Sequence, residues 1–263
     1  MSETEPTQID PRAVVHADAR IGSGVLVGPF CVVGAGVEIG DRCRLLSHVV
    51  VEGRTTLGDD SVVGPMASLG SPPQDLKYRG EETGLAIGRR NRIREFVSMN
   101  RGTAGGGGWT RIGDDGFFMA YCHVAHDCTV GNRVIFANGA TLAGHVEVGD
   151  DATIGAFSGI HQFTRIARHA FVGGYSVVTQ DALPWVLTVG NRATSHGINL
   201  VGLKRKGYPP ETIAALKKCY RILFRSRLAL EEAVARAEAE LGTVEEVRYF
   251  LGFVRTSRRG VWR

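Results

Sequence analysis

The stretch from Cys122 to Leu142 reads CHVAHDCTVGNRVIFANGATL, and its spacing decides the fold. Val124, Val130, Phe136 and Leu142 recur at every sixth residue, and two positions before each stands a smaller one: Cys122, Cys128, Val134 and Ala140. Side chains two apart on a strand share a face, so each small–large pair points to one side of a short strand, and the remaining residues make a bend. Working outward, the large slot continues through Val148, Ile154, Ile160, Ile166, Val172 and Val178, and runs back through Phe118 to Ile112. It returns before one break as Met99, Ile93 and Ile87, and before another from Leu69 down to Ile21. The small slot holds Ala, Val, Cys, Ser, Thr or Gly except at Leu85 and Asn91. Three such sides close a triangular coil of about 18 residues, the signature of a hexapeptide parallel β-helix. Coils stack at roughly 4.8 Å, the spacing of neighbouring strands.

The two breaks are loops leaving the prism. The first, near 71–84, reads SPPQDLKYRGEETG and keeps the phase of the repeat. The second, near 103–109, contains Gly105-Gly106-Gly107-Gly108 and slips the phase by one. Long loops on a rigid solenoid are where function concentrates. The repeat stops near Asp181, and Leu183-Pro184-Trp185 opens a crossing segment. Helical spacing follows: a first helix begins at Pro209-Pro210-Glu211, a second carries Leu230, Val234, Ala237 and Leu241, and a third starts at a capping box of Thr243 and Glu246. The sequence therefore predicts an all-β solenoid over 1–190 and a small three-helix C-terminal domain, with its crossing segment, over 191–263.

The 263 residues are 43% hydrophobic and 22% charged, ample for a core, which excludes a disordered chain. No run approaches the ~18 apolar residues of a membrane span, and Met1 to Ala19 lacks the basic start and apolar stretch of a secretory signal. A cytoplasmic protein is expected. Of 31 basic and 27 acidic residues, 14 and 7 lie from Val201 onward, so the tail carries +7 and the rest −3. No nucleic-acid motif accompanies this excess, which suits phosphates, an acidic protein partner or simply a solvated helix face.

Cys31, Cys43, Cys122 and Cys128 all occupy the small inward slot, where cysteine serves as a small core residue. The histidines differ. His123 and His126 stand at outward positions, and one coil is about 18 residues, so His126, His145 and Gln162 should line one edge on successive coils, with His161 nearby. Such an edge could be a solvated polar strip, a histidine metal site shared between subunits, or a general acid–base centre. Asp127 beside His126 favours the last, because a carboxylate fixes the imidazole tautomer.

From Ala125 to Arg133, the sequence AHDCTVGNR resembles the UDP-N-acetylglucosamine 3-O-acyltransferases that begin lipid A biosynthesis. The likeness continues through Thr141-Leu142-Ala143-Gly144-His145-Val146, His161-Gln162-Phe163, Gln74-Asp75-Leu76-Lys77-Tyr78, Arg101-Gly102-Thr103, Gly197-Ile198-Asn199 and Gly202-Leu203-Lys204-Arg205. The resemblance implies a left-handed β-helix assembled as a homotrimer, with sites in the grooves between subunits. It implies transfer of an (R)-3-hydroxyacyl group from acyl carrier protein to the 3-hydroxyl of UDP-N-acetylglucosamine, with no cofactor and no metal. By the same resemblance His126 is the general base oriented by Asp127, and the Gly144 N–H stabilises the oxyanion. His123, His145, His161 and Gln162 line the groove, Asp75 and Lys77 hold the sugar, and Asn199 and Arg205 bind the nucleotide. Gly174, at an outward position equivalent to that of His126, is the acyl-chain ruler, and glycine there implies a long hydroxyacyl donor. Val201, Lys206, Arg192 and Asn100 depart from the family pattern. Two alternatives stand beside this reading: an acyltransferase of the same type acting on another UDP-amino sugar, and a trimeric histidine-metal enzyme of the carbonic anhydrase type.

Overall fold

The structure, a computed structural model, describes residues 6–262. From Gln8 to Val178 most strands are two residues long, the first facing out and the second in, as in Arg44–Leu45 and Thr129–Val130. They form three parallel sheets of nine, nine and eight strands, each strand pairing with the third one after it, and two later strands extend the first sheet to eleven. Those sheets are the faces of a triangular prism. The register is the repeat itself: Leu26 pairs with Arg44 and Val27 with Leu45, 18 residues apart. On the first face Val27, Leu45, Val63 and Ile93 stack, on the second Val33, Val51, Val124 and Leu142, and on the third Ile39, Leu57, Val130 and Val148. Large and small slots together make one continuous core. The small-slot thiols of the prism and some of its hydroxyls donate to a carbonyl of the next coil, as Cys128 Sγ does to Ala143 O and Ser158 Oγ to Gly173 O.

Pairing across the loops explains the phase. Val62 pairs with Arg92, 30 residues on, so the first insertion adds two whole hexads. Arg92 pairs with Phe117, 25 residues on, so the second adds seven residues and shifts the phase by one. Both loops leave the second face, after Leu69 and Met99, and rejoin the third at Gly84 and Trp109.

Most bends place one residue at positive φ, and these stack into three columns of unlike chemistry. The first edge, between first and second faces, carries Phe30, His48, Met66, Phe96, Tyr121, Phe157 and Tyr175. The second carries Asp127, His145 and Phe163. The third carries Arg42, Asp60, Arg90, Asp115, Arg133, Asp151 and His169, whose alternating charges pair as Arg42–Asp60, Arg90–Asp115 and Arg133–Asp151.

A stacked solenoid needs a cap over its last open coil. Here the strand Val186–Gly190 extends the first sheet and turns back as Ala193–Ile198, so the boundary drawn at 190/191 falls in the turn of a hairpin. Four helices follow: α1 Leu200–Arg205, α2 Pro210–Arg225, α3 Leu230–Leu241 and α4 Glu245–Arg255. The three expected helices are α2, α3 and α4; α1 and the hairpin lie within the expected crossing segment. Pro210 is the first residue of α2 as predicted, but the capping box is not formed: Val244 is the N-cap of α4 and makes no side-chain bond. Leu183, Trp185, Leu216, Leu223, Ala237 and Phe250 form a second core sealing the prism end. No helix among the described residues is long and apolar enough to cross a membrane.

Candidate active site

The second edge, where both loops leave, gathers the histidines. Asp127 sits at its bend with its side chain fully buried. A buried carboxylate needs donors for its lone pairs. It has three: Thr103 N–H to Oδ1 at 2.8 Å, Thr103 Oγ–H to Oδ2 at 2.6 Å, and His126 Nδ1–H to Oδ2 at 2.7 Å. Thr103 also caps the short turn Ala104–Gly106, which lies directly on the carboxylate: a Cβ at Gly106 would stand 2.0 Å from Asp127 Cγ. The glycine-rich loop is thus a lid over Asp127. Because Nδ1 donates to the carboxylate, His126 Nε2 is left as an acceptor, the form a general base requires.

His145 packs edge-on to His126 at 5.2 Å between ring centroids and stacks on Phe163 at 4.5 Å. Gly144 lies under the His126 ring; a Cβ there would be 2.6 Å from Cε1. On the third edge the amides at the position equivalent to Gly144 are caught by the next coil, as Asp41 N and Asn132 N are by Asp59 Oδ1 and Asp150 Oδ1. Gly144 N–H has no such acceptor among the described residues. His123 bonds Ser98 Oγ through Nδ1 at 2.8 Å, and burial, with the neighbouring His126, pushes its pKa below the ordinary histidine value. His161 and Gln162 lie one coil beyond Gly144 on the same edge, where Arg259 reaches both.

The other expected residues lie elsewhere on the chain. Asp75 accepts from Lys77 N within the first loop, and Lys77 is exposed. That loop is tied down by Asn100, whose amide donates to Pro72 O, and by Arg101, which bonds the Tyr78 hydroxyl. Asn199 caps α1 by accepting from Gly202 N, and Arg205 ends the same helix. Both line a cavity of about 350 Å³ with Trp185, His169 and Tyr208, at the capped end of the third edge. Lys206 is engaged there by Asp151 at 2.6 Å. Gly174 is on the first edge, where a Cβ would meet Ala156 O at 3.3 Å, a close contact that a larger side chain fits only if the backbone gives by a few tenths of an ångström. One chain therefore brings His126, Asp127, Gly144 and His145 together, with His123, His161 and Gln162 near them, and holds Asn199, Arg205 and Gly174 on its other edges.

Three residues that sequence reasoning did not single out belong to this site: Thr103, Gly106 and Arg259. Thr103 stood in the quoted Arg101-Gly102-Thr103 block, and the glycine run was visible as a loop, but nothing in the repeat showed that either met Asp127. The ligand atoms of His126, Asp127 and His145 lie within 4.8 Å of one another, close enough to share a cation. The Asp127 carboxylate is already committed to three donors, however, and the arrangement fits proton transfer better.

Comparison with known proteins identifies the family. Residues 181–262 match the family described as UDP N-acetylglucosamine O-acyltransferase, domain 2, and residues 110–144 match the bacterial transferase hexapeptide repeat. An acyl-[acyl-carrier-protein]–UDP-N-acetylglucosamine O-acyltransferase from Thermodesulfovibrio yellowstonii is 48% identical over 256 residues, covering 97% of this chain and 99% of its own. Among solved structures, LpxA from Acinetobacter baumannii superposes with a TM-score of 0.94 at 41% identity, covering 97% of this chain and 99% of its own. A UDP-N-acetylglucosamine acyltransferase from Bacteroides fragilis gives 0.95 at 35%, covering 97% and 100%. At this identity and coverage, with a histidine–aspartate pair on one edge of a hexapeptide prism and a matching helical cap, the chain belongs to the acyl-[acyl-carrier-protein]–UDP-N-acetylglucosamine O-acyltransferase family.

Proposed function

We propose that this protein transfers an (R)-3-hydroxyacyl group from acyl carrier protein to the 3-hydroxyl of UDP-N-acetylglucosamine, in the cytoplasm and as a homotrimer, without cofactor or metal. The observation that carries the reading is the His126–Asp127 pair, with Nδ1 held at 2.7 Å and Nε2 open. His126 Nε2 takes the sugar hydroxyl proton as that oxygen attacks the thioester carbonyl. The tetrahedral oxyanion is met by Gly144 N–H. As it collapses the carbon–sulfur bond breaks, and the imidazolium returns the proton to the departing thiolate. Attack is direct: the described cysteines are all buried, and burial pushes the Cys128 and Cys219 thiols up to about 12, which leaves no thiolate to carry an acyl group.

Trimeric assembly is supported by the first edge, whose aromatic column remains exposed, from Phe96 at 43% to Tyr175 at 73%. A contiguous apolar strip of this kind marks a surface that another chain covers. The test is to incubate purified protein with UDP-N-acetylglucosamine and hydroxyacyl carrier proteins of graded length and to weigh the products. A sugar carrying one hydroxyacyl ester is expected, with the longer donors favoured. Loss of a general base costs about 10²–10⁴ in rate, so His126→Ala should fall by that factor with assembly intact. Gly174→Met should shift preference toward shorter donors. No acylated sugar from any donor would overturn the reading.

A further inference from the structure

The C-terminal segment returns to the histidine edge. Beyond α4 it is tied down by Asp181, which is 3% exposed. Asp181 N donates to Gly260 O at 2.9 Å, and its carboxylate accepts from Ser257 Oγ and from Arg165 N, each at 2.8 Å. Arg165 in turn donates to Thr256 and lies over the Phe253 ring. This anchoring delivers Arg259 to the groove: its Nη2 stands 2.9 Å from His161 Nδ1 and 2.7 Å from Gln162 O. A guanidinium has donors only, so His161 Nδ1 must accept. The ring proton of the neutral imidazole then sits on Nε2, which has no protein partner among the described residues, on a side chain open to solvent. Without Arg259 the same Nδ1 would face Gln162 O, a bare acceptor at 3.1 Å, and a proton on Nδ1 would be preferred.

We propose that Arg259 is a positioning residue that holds His161 in the Nε2–H tautomer and so makes it a hydrogen-bond donor to an acceptor oxygen of the substrate bound along this edge. The identity of that oxygen rests on the acyltransferase reading; the tautomer does not. Arg258, exposed and without this contact, is an internal control.

The experiment has two arms. In histidine-labelled protein the ring ¹³C and ¹⁵N shifts of His161, assigned with His161→Asn and read by solid-state NMR on sedimented protein, distinguish the tautomers without any turnover. The wild type should show Nε2–H, Arg259→Met should change to Nδ1–H, and Arg259→Lys, which keeps a donor, should stay Nε2–H. In steady-state assays Arg259→Met should lose kcat/KM by on the order of tenfold, the worth of one hydrogen bond, with Arg259→Lys recovering most of it and Arg258→Met unchanged. An Nδ1–H signal in the wild type, or an unchanged signal in Arg259→Met, overturns the proposal. A changed tautomer with unchanged kcat/KM overturns it too, because the ring would then donate to nothing that matters for turnover. If Arg259→Met does not fold, Arg259→Ala, which also removes the donor, is read by the same ring shifts with the same two outcomes.

Discussion

Asp127 is the most constrained side chain of the histidine edge, because each of its donors has a separate task. His126 is held by one oxygen and Thr103 is bound by both. Removing the threonine hydroxyl leaves a buried charged acceptor short of a partner, at a cost of about 1–3 kcal/mol. Thr103→Val should therefore lower both the melting temperature and kcat, while leaving KM for the nucleotide sugar near the wild-type value; an unchanged kcat would remove the lid from the catalytic account. A second expectation concerns acid. Burial lowers the pKa of His123 and of His169, so around and below 6.5 the unfolded chain binds protons that the folded chain refuses. Stability then rises with pH through this window and is lost on acidification. Asp60 and Asp115, held low by hydrogen bonds from Arg42 and Arg90, titrate beneath 3.8 and do not mask it. Denaturant midpoints should fall between pH 7.5 and 5.5, values bracketing the free histidine pKa near ~6.5, and the double variant His123→Gln/His169→Gln should flatten the slope. At this scale sequence reading succeeds where the repeat fixes direction: His126 lies two residues past an inward slot and must point out. It fails where partners meet across an insertion. Thr103 reaches Asp127 over a loop whose path the hexad count does not set, and Arg259 reaches His161 from 98 residues away.

At the scale of elements, the strands were legible because every one repeats the same small–large pair, whereas α1 was not. Six residues reading LVGLKR, with glycine inside, are too few for a helical period to stand out. The hairpin 186–198 escaped for a different reason: its strands, of five and six residues, lie outside the hexad repeat, and it is defined by its pairing with Phe171 and Val172. The second loop shows how an element works through one residue. Gly105 and Gly106 are neighbours in the same turn and neither has positive φ, yet a Cβ at Gly105 meets nothing within 4 Å while one at Gly106 falls on the Asp127 carboxylate. Contact that close forces the turn away from Asp127. Gly106→Ala should lower kcat and loosen the loop toward proteolysis, and Gly105→Ala should be silent in both assays. The solenoid itself should be untouched, because the loop contributes nothing to the core. Equal behaviour of the two variants would mean that the lid does not bear on Asp127.

At the scale of the molecule, the three edges do three different jobs, and the candidate site residues are divided among them. The third edge, with its alternating Arg and Asp, is suited to water and ends in the Asp151–Lys206 contact that holds α1 and Arg205. Along the first edge, rings pair at 4.9 Å between Phe96 and Tyr121 and at 5.3 Å between Phe157 and Tyr175, forming a rigid apolar strip. His126 stands on the second edge. A prism cannot fold one edge onto another, so His126 and Arg205 can serve one substrate only if they come from neighbouring chains in a closed ring. This gives a complementation test. Subunits carrying His126→Ala and subunits carrying Arg205→Ala are co-expressed with different tags, and trimers bearing both tags are isolated. In a site built from two neighbours, each mixed trimer contains one position where an intact His126 faces an intact Arg205, so about one third of sites are whole by symmetry. Activity should return to about that fraction of wild type, far above either parent. Activity no higher than the parents' would place both residues in a site made by one chain. Adding Tyr121→Glu to both subunits puts charge into the exposed apolar strip; under the proposed trimer, in which that strip is the contact between neighbours, it should abolish the doubly tagged species and the recovered activity together.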